Sequence, residues 1–426
     1  MVTLIERINF IIALVLGIAY FYQIVYAVVG FVRRKRYREP DAAALHKYAV
    51  VVCARNEQAV IGELLQSLKR QKYPKQLLDL YVVADNCTDQ TAAAARSAGA
   101  RVYERTNHTE VGKGYALDYF FKRLYRERPD AGYEGYFVFD ADNIVDENFV
   151  AEMNRTFDKG GYDAITSYRN SKNFGDNWIS AGYSIWFLRE ARFLNFPRYL
   201  QGTNCAISGT GFLVSDQVVR ANGGWPFHLL TEDIQFSASC AVEGRRIGYC
   251  DRAVVYDEQP VTMQQSWNQR MRWSKGFYQV DMHYGAALLK GSLRGGRRAF
   301  SCYDMLMTVA PGMLLTIGVM LLNVLVGAAC FAAPAWLARQ MLAVVGEALA
   351  SGLLGFYFGM LAYGALTVFC EWKAIPAKAS QKIGYLFTFP LFMLTYLPIS
   401  LVALVRRVEW KPIQHTAVAE RQQRAA

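Results

Sequence analysis

Four stretches of the chain are almost wholly apolar, and the long region between the first and the second is not. Ile8 to Val32 runs for 25 residues without a charge, enough to cross a hydrocarbon core of about 30 Å. A cleaved signal peptide is disfavoured, because the run is long and the basic cluster Arg33, Arg34, Lys35, Arg36 and Arg38 follows it instead of preceding it. This span is expected to deliver residue 33 to the cytoplasm. Met305 to Pro334 is uncharged, with a kink expected at Pro311 and Gly312, and Leu342 to Cys370 carries only Glu347. These two predict a hairpin of spanning helices around a short loop that holds Arg339. Ile383 to Val405 is uncharged but contains Pro390 and Pro398. It either spans or forms a broken, re-entrant segment against protein. The re-entrant form is favoured, because it leaves the basic tail from Arg406 on the cytoplasmic side.

Between residues 46 and 283 the pattern changes to short apolar runs separated by amphipathic ones. Tyr48–Cys53, Leu78–Ala84, Val102–Glu104 and Tyr136–Phe139 read as strands, the first a continuous buried run. Ile61–Gln71, Thr91–Ala98 and Tyr115–Tyr125 have helical spacing. This alternation predicts an α/β domain with a parallel sheet covered by helices. The chain therefore divides into a spanning helix and basic linker (1–45), a cytoplasmic domain (46–283), and a last part (284–426) with an interfacial helix, two to three spanning or re-entrant segments and a basic tail. Trp178 to Phe196, rich in aromatics with Arg189 and Arg192, fits either an interfacial helix or a buried core helix.

Composition sharpens this picture. Of 426 residues 53% are apolar and 19% charged, and the net charge is +11. Disorder and low complexity are excluded. Nucleic acid is not the expected partner, because much of the basic excess flanks the apolar runs: Arg33–Arg36, then Arg294, Arg297 and Arg298, then Arg406, Arg407 and Lys411. That placement suits membrane lipid headgroups and anionic substrates. The eight cysteines form no CxxC pair and have no zinc-like spacing to the five histidines. They read as reduced, apolar residues.

In an open parallel sheet the ligand crevice lies beyond the carboxyl ends of the strands, and polar clusters follow the strands here. They are Ala54-Arg55-Asn56-Glu57, Asp85-Asn86-Cys87-Thr88-Asp89 and Asp140-Ala141-Asp142-Asn143, with Thr231-Glu232-Asp233 far downstream. No GxGxxG follows the first strand and no GxxxxGK[ST] occurs, so neither a dinucleotide fold nor a P-loop is expected. Two aspartates one residue apart offer hard oxygen ligands for Mg²⁺ or Mn²⁺ with substrate phosphates completing the shell; equally, Asp140 could cap a helix while Asp142 is solvated. Gln269-Arg270-Met271-Arg272-Trp273 sets two cations and an indole on a helix. Arginine forks suit phosphate and an indole face suits a sugar ring, although a membrane-interface anchor has the same composition.

In order along the chain, ARNE (54–57), ADN around Asp85, GKG (112–114), DAD (140–142), SGTG (208–211), TED (231–233) and QRMRW (269–273) resemble the family-2 membrane-integrated inverting glycosyltransferases. These include cellulose, chitin, hyaluronan and poly-N-acetylglucosamine synthases. The resemblance implies a GT-A-type domain with a mixed, mostly parallel sheet, flanked by transmembrane and interfacial helices. It implies that Glu57 and Asp85 hold uridine, with Ala54 backing the base and Asn56 alongside, and that Lys113 lies near the diphosphate. Asp140 and Asp142 match the metal motif, Asp142 as the direct ligand. Asp233 matches the catalytic base and Glu232 its neighbour at the acceptor. Gln269, Arg272 and Trp273 match the element that closes on the diphosphate and borders the acceptor. Ser208, Gly209 and Thr210 lie where the family has a loop under the acceptor sugar. Asn86 departs from the Asp or Gly of many relatives. Glu409-Trp410-Lys411 with His415 fits a tryptophan motif that approaches the nucleotide, or an interfacial anchor. His108, His228 and His283 receive no role.

The implied reaction moves a hexose, glucose or N-acetylglucosamine, from a UDP-sugar to a growing β-linked polysaccharide with inversion. The alternative is one transfer to a lipid acceptor. Homo-oligomerisation is left open by the small number of spans. A catalytically dead sensor is disfavoured, because Asp142, Asp233 and Arg272 are all present.

Overall fold

The computed structural model describes residues 2–32, 37–309 and 311–408, without the side chains of residues 2, 311–317 and 320. Arg33–Arg36 and the Glu409-Trp410-Lys411 motif with His415 lie outside the described residues.

The chain opens with the apolar helix α1 (Val2–Val32). Strands and helices then alternate as the pattern predicts: β1 (Tyr48–Ala54), α2 (Ile61–Lys69), β2 (Leu78–Asp85), α3 (Thr91–Ser97), β3 (Arg101–Arg105), α4 (Lys113–Glu127) and β4 (Gly135–Asp140). The second half of the domain is less regular. It holds β5 (Ile144–Val145), α5 (Phe149–Asp158), β6 (Ala164–Ser171), α6 (Trp178–Glu190), a π-helical turn (Ala191–Asn195), α7 (Phe196–Gln201), β7 (Phe212–Ser215), α8 (Asp216–Ala221), α9 (Glu232–Glu243) and β8 (Ile247–Asp257). After it come α10 (Met263–Ser292), α11 (Gly296–Val309), α12 (Pro311–Ala329), α13 (Ala335–Cys370), α14 (Ala379–Leu394) and α15 (Tyr396–Val405).

All eight strands form one sheet in the order β3-β2-β1-β4-β7-β6-β8-β5. β1 to β4 are parallel neighbours, β7 runs antiparallel to both β4 and β6, and β6 and β8 are again parallel. Both faces are covered, so β1 is apolar at every position. Ala49 and Val51 pack with Phe120, Phe121 and Leu124 on one side. Tyr48, Val50 and Val52 pack with Ile61, Leu64 and Leu65 on the other, the two-residue period of a strand. β1, β2 and β4 all end with their carboxyl ends together, at Ala54, Asp85 and Asp140.

Among the described residues three helical stretches are long and apolar enough to cross a membrane: Thr3–Val32, Ala335–Cys370 and Ala379–Val405. The outer hairpin differs from expectation. The turn falls at Cys330–Pro334, and Arg339 lies within α13, not in a loop. A helix of 36 residues is about 54 Å long, more than the hydrocarbon needs, so its exposed Arg339 sits near an end. The Ile383–Val405 region is helical on both sides of Thr395, a break preceding Pro398. Arg270 satisfies that break: its Nη1 donates to the Phe392 carbonyl (3.0 Å) and Thr395 Oγ1 (2.7 Å).

The α/β domain is joined to α1 and α11 by buried polar contacts. Arg198 makes a bidentate pair with Asp304, 2.7 Å from Nε to Oδ2 and 2.7 Å from Nη2 to Oδ1, and both side chains are 2% exposed. Tyr26 and Tyr22 of α1 donate to the same carboxylate at 2.9 and 3.1 Å. Of the two readings for Trp178–Phe196, the buried one holds. α6 is enclosed along most of its length, and Tyr183 and Phe187 pack with Phe392 of α14.

Candidate active site

The ARNE and DNCTD loops follow β1 and β2 and are laced together. Asn56, in the left-handed region at φ 57°, accepts from the Thr88 amide (2.8 Å) and donates to Thr88 Oγ1 (3.1 Å). The Glu57 amide donates to Thr91 Oγ1 (2.8 Å). Asp85 is buried against Arg105, Nη1 to Oδ1 2.7 Å. Burial raises its carboxyl although Arg105 opposes it. Asn86 donates to Asp85 Oδ1 and accepts from the Asn107 amide, so the departure from the family residue serves the loop.

Lys113 is placed by its glycines. Gly112 sits at φ 138°, and a Cβ on Gly114 would meet the Phe227 carbonyl at 2.0 Å. Only glycine lets α4 begin this close to the Phe227–His228 segment. Lys113 Nζ then donates to Asp140 Oδ1 (2.5 Å) and to the Gly209 carbonyl (2.6 Å). Burial works to lower this amine, but Asp140 and Glu232 outweigh it and hold it above the usual value.

Asp142 is buried, its Oδ2 accepting from the Glu258 amide (2.9 Å) and its Oδ1 from Asn143 Nδ2 (3.3 Å). Thr210 Oγ1 accepts from the Asp140 amide at 2.9 Å and also bonds Asn143. Gly209, at φ 78°, is where the distant carboxylates converge: a Cβ there would lie 3.7 Å from Asp233 Oδ2 and 4.0 Å from Asp140 Oδ2. Burial and the Asp233 carboxylate push Glu232 up to about 7, against Lys113 and Arg272. Burial also raises Asp233, opposed first by the Ile234 amide and then by Lys113 and Arg272. Paired carboxylates with raised pKa beside cations are a common arrangement at reaction centres.

These groups share one cavity of about 1790 Å³. Ala54, Glu57, Asp85, Lys113, Asp140 and Asp142 line it on the sheet side. Ser208, Gly209, Glu232, Asp233, Gln269, Arg272 and Trp273 line it opposite. Two expected site residues are not among the lining residues. Asn56 holds the neighbouring loop, and Thr210 holds the DAD backbone. In QRMRW, Arg272 faces the cavity, whereas Arg270 is fully buried against α14 and α15. Gln269 Oε1 and Thr231 Oγ1 are buried with no hydrogen-bond partner among the described residues. Burial keeps Cys53, on the cavity floor, a neutral thiol. Arg55, which sequence reasoning placed in the ARNE cluster without a role, also lines the cavity, as do Arg169, Glu190, Asp257 and Glu258, which it missed. Arg169 Nε donates to Asp257 Oδ2 (2.6 Å), its Nη1 to the Ser208 carbonyl (2.8 Å), and Ser208 Oγ donates to Glu190. Arg169 lies near the end of β6, and Asp257 at the end of β8; the strand-end rule would have found both had these strands been recognised.

From the carboxylates the same cavity continues between the long apolar helices. Phe10, Ala13 and Leu16 of α1, Leu349 and Leu353 of α13, and Leu397 of α15 line this second limb.

Sheet order, loop placement and the shared cavity define a GT-A-type glycosyltransferase domain joined to helices of membrane-spanning length. Residues 46–276 match the family described as glycosyltransferase like family 2, and the chain belongs to that family. Beta-monoglucosyldiacylglycerol synthases are similar to it. That of Nostoc sp. is 26% identical over 290 residues, covering 66% of this chain and 58% of the relative. That of Synechocystis sp. is 24% identical over 388 residues, 87% and 75%. The poly-beta-1,6-N-acetyl-D-glucosamine synthase of Staphylococcus aureus is 26% identical over 278 residues, 62% of each chain. The chain thus spans less than two thirds of the length of several curated relatives. The structure of the mannosyltransferase PcManGT from Pyrobaculum calidifontis, in complex with GDP-Man and Mn²⁺, covers 93% of this chain and 99% of its own with a TM-score of 0.58 at 16% identity. That likeness concerns the fold.

Proposed function

We propose that this enzyme transfers one hexose, glucose by preference, from a UDP-sugar to the hydroxyl of a membrane lipid such as a diacylglycerol, with inversion at the anomeric carbon. The observation that carries this reading is the continuity of the cavity, which joins Asp233 to an apolar limb among spanning helices. A growing polysaccharide needs hydrogen-bonding walls, whereas Phe10, Leu16, Leu349 and Leu353 offer none to a sugar. The beta-monoglucosyldiacylglycerol synthase of Synechocystis sp. aligns over more of the chain than the poly-beta-1,6-N-acetyl-D-glucosamine synthase does. The polysaccharide reading, which rests on TED with QRMRW, takes second place.

In this mechanism Glu57 and Asp85 face the nucleoside, and Lys113 and Arg272 flank the diphosphate. The acceptor oxygen attacks C1 while the C1–O bond to the β-phosphate breaks. Asp233 takes the hydroxyl proton, and UDP departs with the bonding electrons. Lys113 and Arg272, held in a water-poor cleft, stabilise the charge that develops on the leaving group. Among the described residues no three His, Cys, Asp or Glu group as a metal cage. Asp142 and Asp140 fit the hard, few-ligand site of Mg²⁺ or Mn²⁺, with diphosphate oxygens completing the shell. The ion would supply charge neutralisation at the β-phosphate. The basic cluster that follows α1 in the sequence supports a cytoplasmic catalytic domain.

The test incubates the purified full chain with radiolabelled UDP-glucose or UDP-N-acetylglucosamine, Mn²⁺ and dioleoylglycerol in mixed micelles. Label that partitions into organic solvent as a β-glycolipid supports the reading. High-mass, hydrolase-sensitive product formed without lipid overturns it.

A further inference from the structure

The apolar limb has a definite far end. Along α1 its lining runs from Tyr20 to Asn9, about 16 Å at the helical rise. Opposite, Ala348 to Phe356 of α13 line the limb over about 12 Å. At that end Asn9 and Asn323 exchange two amide hydrogen bonds of 3.1 Å each, and Asn323 also donates to the Val319 carbonyl. Both asparagines line the cavity, and Asn323 is 1% exposed. One helical turn further, Ile5, Cys330 and Met341 pack together across α1, the turn and α13.

We infer that this limb is a blind slot for one acyl chain of the lipid acceptor, and that the Asn9–Asn323 amide pair is its end-stop, which limits acyl length. This rests on the lipid-acceptor reading above. The occupant follows from position. Only an amphipathic molecule can fill a slot walled by Phe10, Leu16 and Leu353 at membrane depth while its hydroxyl reaches Asp233. The end-stop follows from chemistry. An amide in hydrocarbon is costly unless paired, so the two asparagines hold each other across the slot. A methylene that pushed against them would have to part that pair. The slot's bore has spare room at Gly352, which lines it and whose Cβ would meet nothing described within 4 Å. A larger side chain there projects into the space the chain would take.

The experiment uses the full chain in mixed micelles with UDP-glucose and saturated diacylglycerols from dioctanoyl to distearoyl. kcat/KM is measured for each, and UDP release without acceptor serves as the control for an intact donor site. For the wild type, kcat/KM is expected to rise by about fourfold per methylene while the slot fills, then to stop rising or fall. Asn9→Ala/Asn323→Ala moves that turning point to longer chains, and Gly352→Leu moves it to shorter ones, with UDP release unchanged in both. The second variant needs no disruption of the amide pair, so it tests the slot even where the first fails to fold. Transfer by all three proteins with the same length profile overturns the slot and leaves the lipid acceptor standing. Absence of glycolipid from every diacylglycerol, with UDP release intact, overturns the lipid reading and the slot together.

Discussion

Gly276→Ala sets two physical effects against each other. Gly276 lies in the interior of α10, a helix of 30 residues. There alanine is favoured over glycine by about 1 kcal/mol, so helix propensity predicts a small gain. The structure predicts a loss. A Cβ on Gly276 would sit 2.5 Å from both Cγ2 and Oγ1 of Thr231 and 2.9 Å from its Cβ. These contacts are about 1 Å too short, and Thr231 is β-branched with a stiff χ1, so it cannot swing away. Thr231 immediately precedes Glu232 and Asp233, and the Leu230 amide is held to Gln279 of the same helix at 3.2 Å. Overpacking of this kind costs about 1 to 3 kcal/mol. The expected consequence for chemistry is larger, because a displacement of about 1 Å at a reacting group can cost a factor of about 10². Glycosyl transfer by Gly276→Ala should therefore fall by one to two orders of magnitude, with UDP affinity by calorimetry nearly unchanged. Thr231→Ala breaks no hydrogen bond, since its Oγ1 has none among the described residues. Combined with Gly276→Ala it should restore part of the rate, which a double-mutant cycle reads directly. Gly346→Ala in α13, where a Cβ meets nothing described within 4 Å, is the control and should be silent. Wild-type kcat for Gly276→Ala, or no recovery in the double variant, would refute the coupling.

Further outcomes are expected at the carboxylates and at the two arginines of α10. Asp233→Asn should lower kcat by about 10² to 10⁴ while UDP still binds; unchanged turnover would remove Asp233 from the mechanism. The pH–rate profile should fall on the acid side as the coupled Glu232–Asp233 pair, both carboxyls raised by burial, takes up protons. Glu232→Gln removes the neighbouring carboxylate, so it should move the acid limb to lower pH; an unmoved limb would take Glu232 out of the pair. Arg272→Ala should lose activity with little change in melting temperature. Arg270→Ala, which strips the fully buried partner of the Phe392 carbonyl, should instead lower stability by about 2 to 4 kcal/mol, measured by thermal unfolding in detergent.

The first half of the catalytic domain was legible because buried parallel strands are continuous apolar runs and their ends carry the polar clusters. β1, β2 and β4 each end at a group that sequence reasoning selected: Ala54, Asp85 and Asp140. The second half was opaque for a physical reason. β6 and β8 mix Asp, Arg, Asn and Ser with apolar residues, because their ends line the polar cleft, and so Arg169 and Asp257 carried no strand-end signal. Asn56 and Thr210 have the residue types of ligand contacts but spend their hydrogen bonds on Thr88 and on the Asp140 and Asn143 positions. Composition cannot tell a side chain that touches a substrate from one that holds a loop which does. The extent of α13 was misread because Arg339 breaks the apolar run, although helix hydrogen bonding continues through a charge that reaches water.

Neighbouring residues of one motif divide between the two halves of the molecule, and this says how the site and the membrane helices are joined. In a helix, residues two apart point to different faces. Arg272 and Trp273 line the cavity, whereas Arg270 turns the other way and donates to the Phe392 carbonyl, which also accepts from Thr395 Oγ1, at the α14–α15 break. Gly276, one turn beyond Arg272 on the same side of α10, packs against Thr231. α10 therefore borders the cavity, the Thr231 position that precedes Glu232 and Asp233, and the junction of α14 and α15 at once. Leu397 of α15, just past that break, lines the apolar limb. On the lipid-acceptor reading proposed above, the Arg270 contacts with Phe392 and Thr395 give a route from the apolar limb through α10 to Arg272, and coupling along it is expected to show as linked binding. Its measurable sign is reciprocal: a non-reactive diacylglycerol analogue should raise UDP affinity by the same factor that UDP raises affinity for the analogue, and Arg270→Ala should bring both factors towards one.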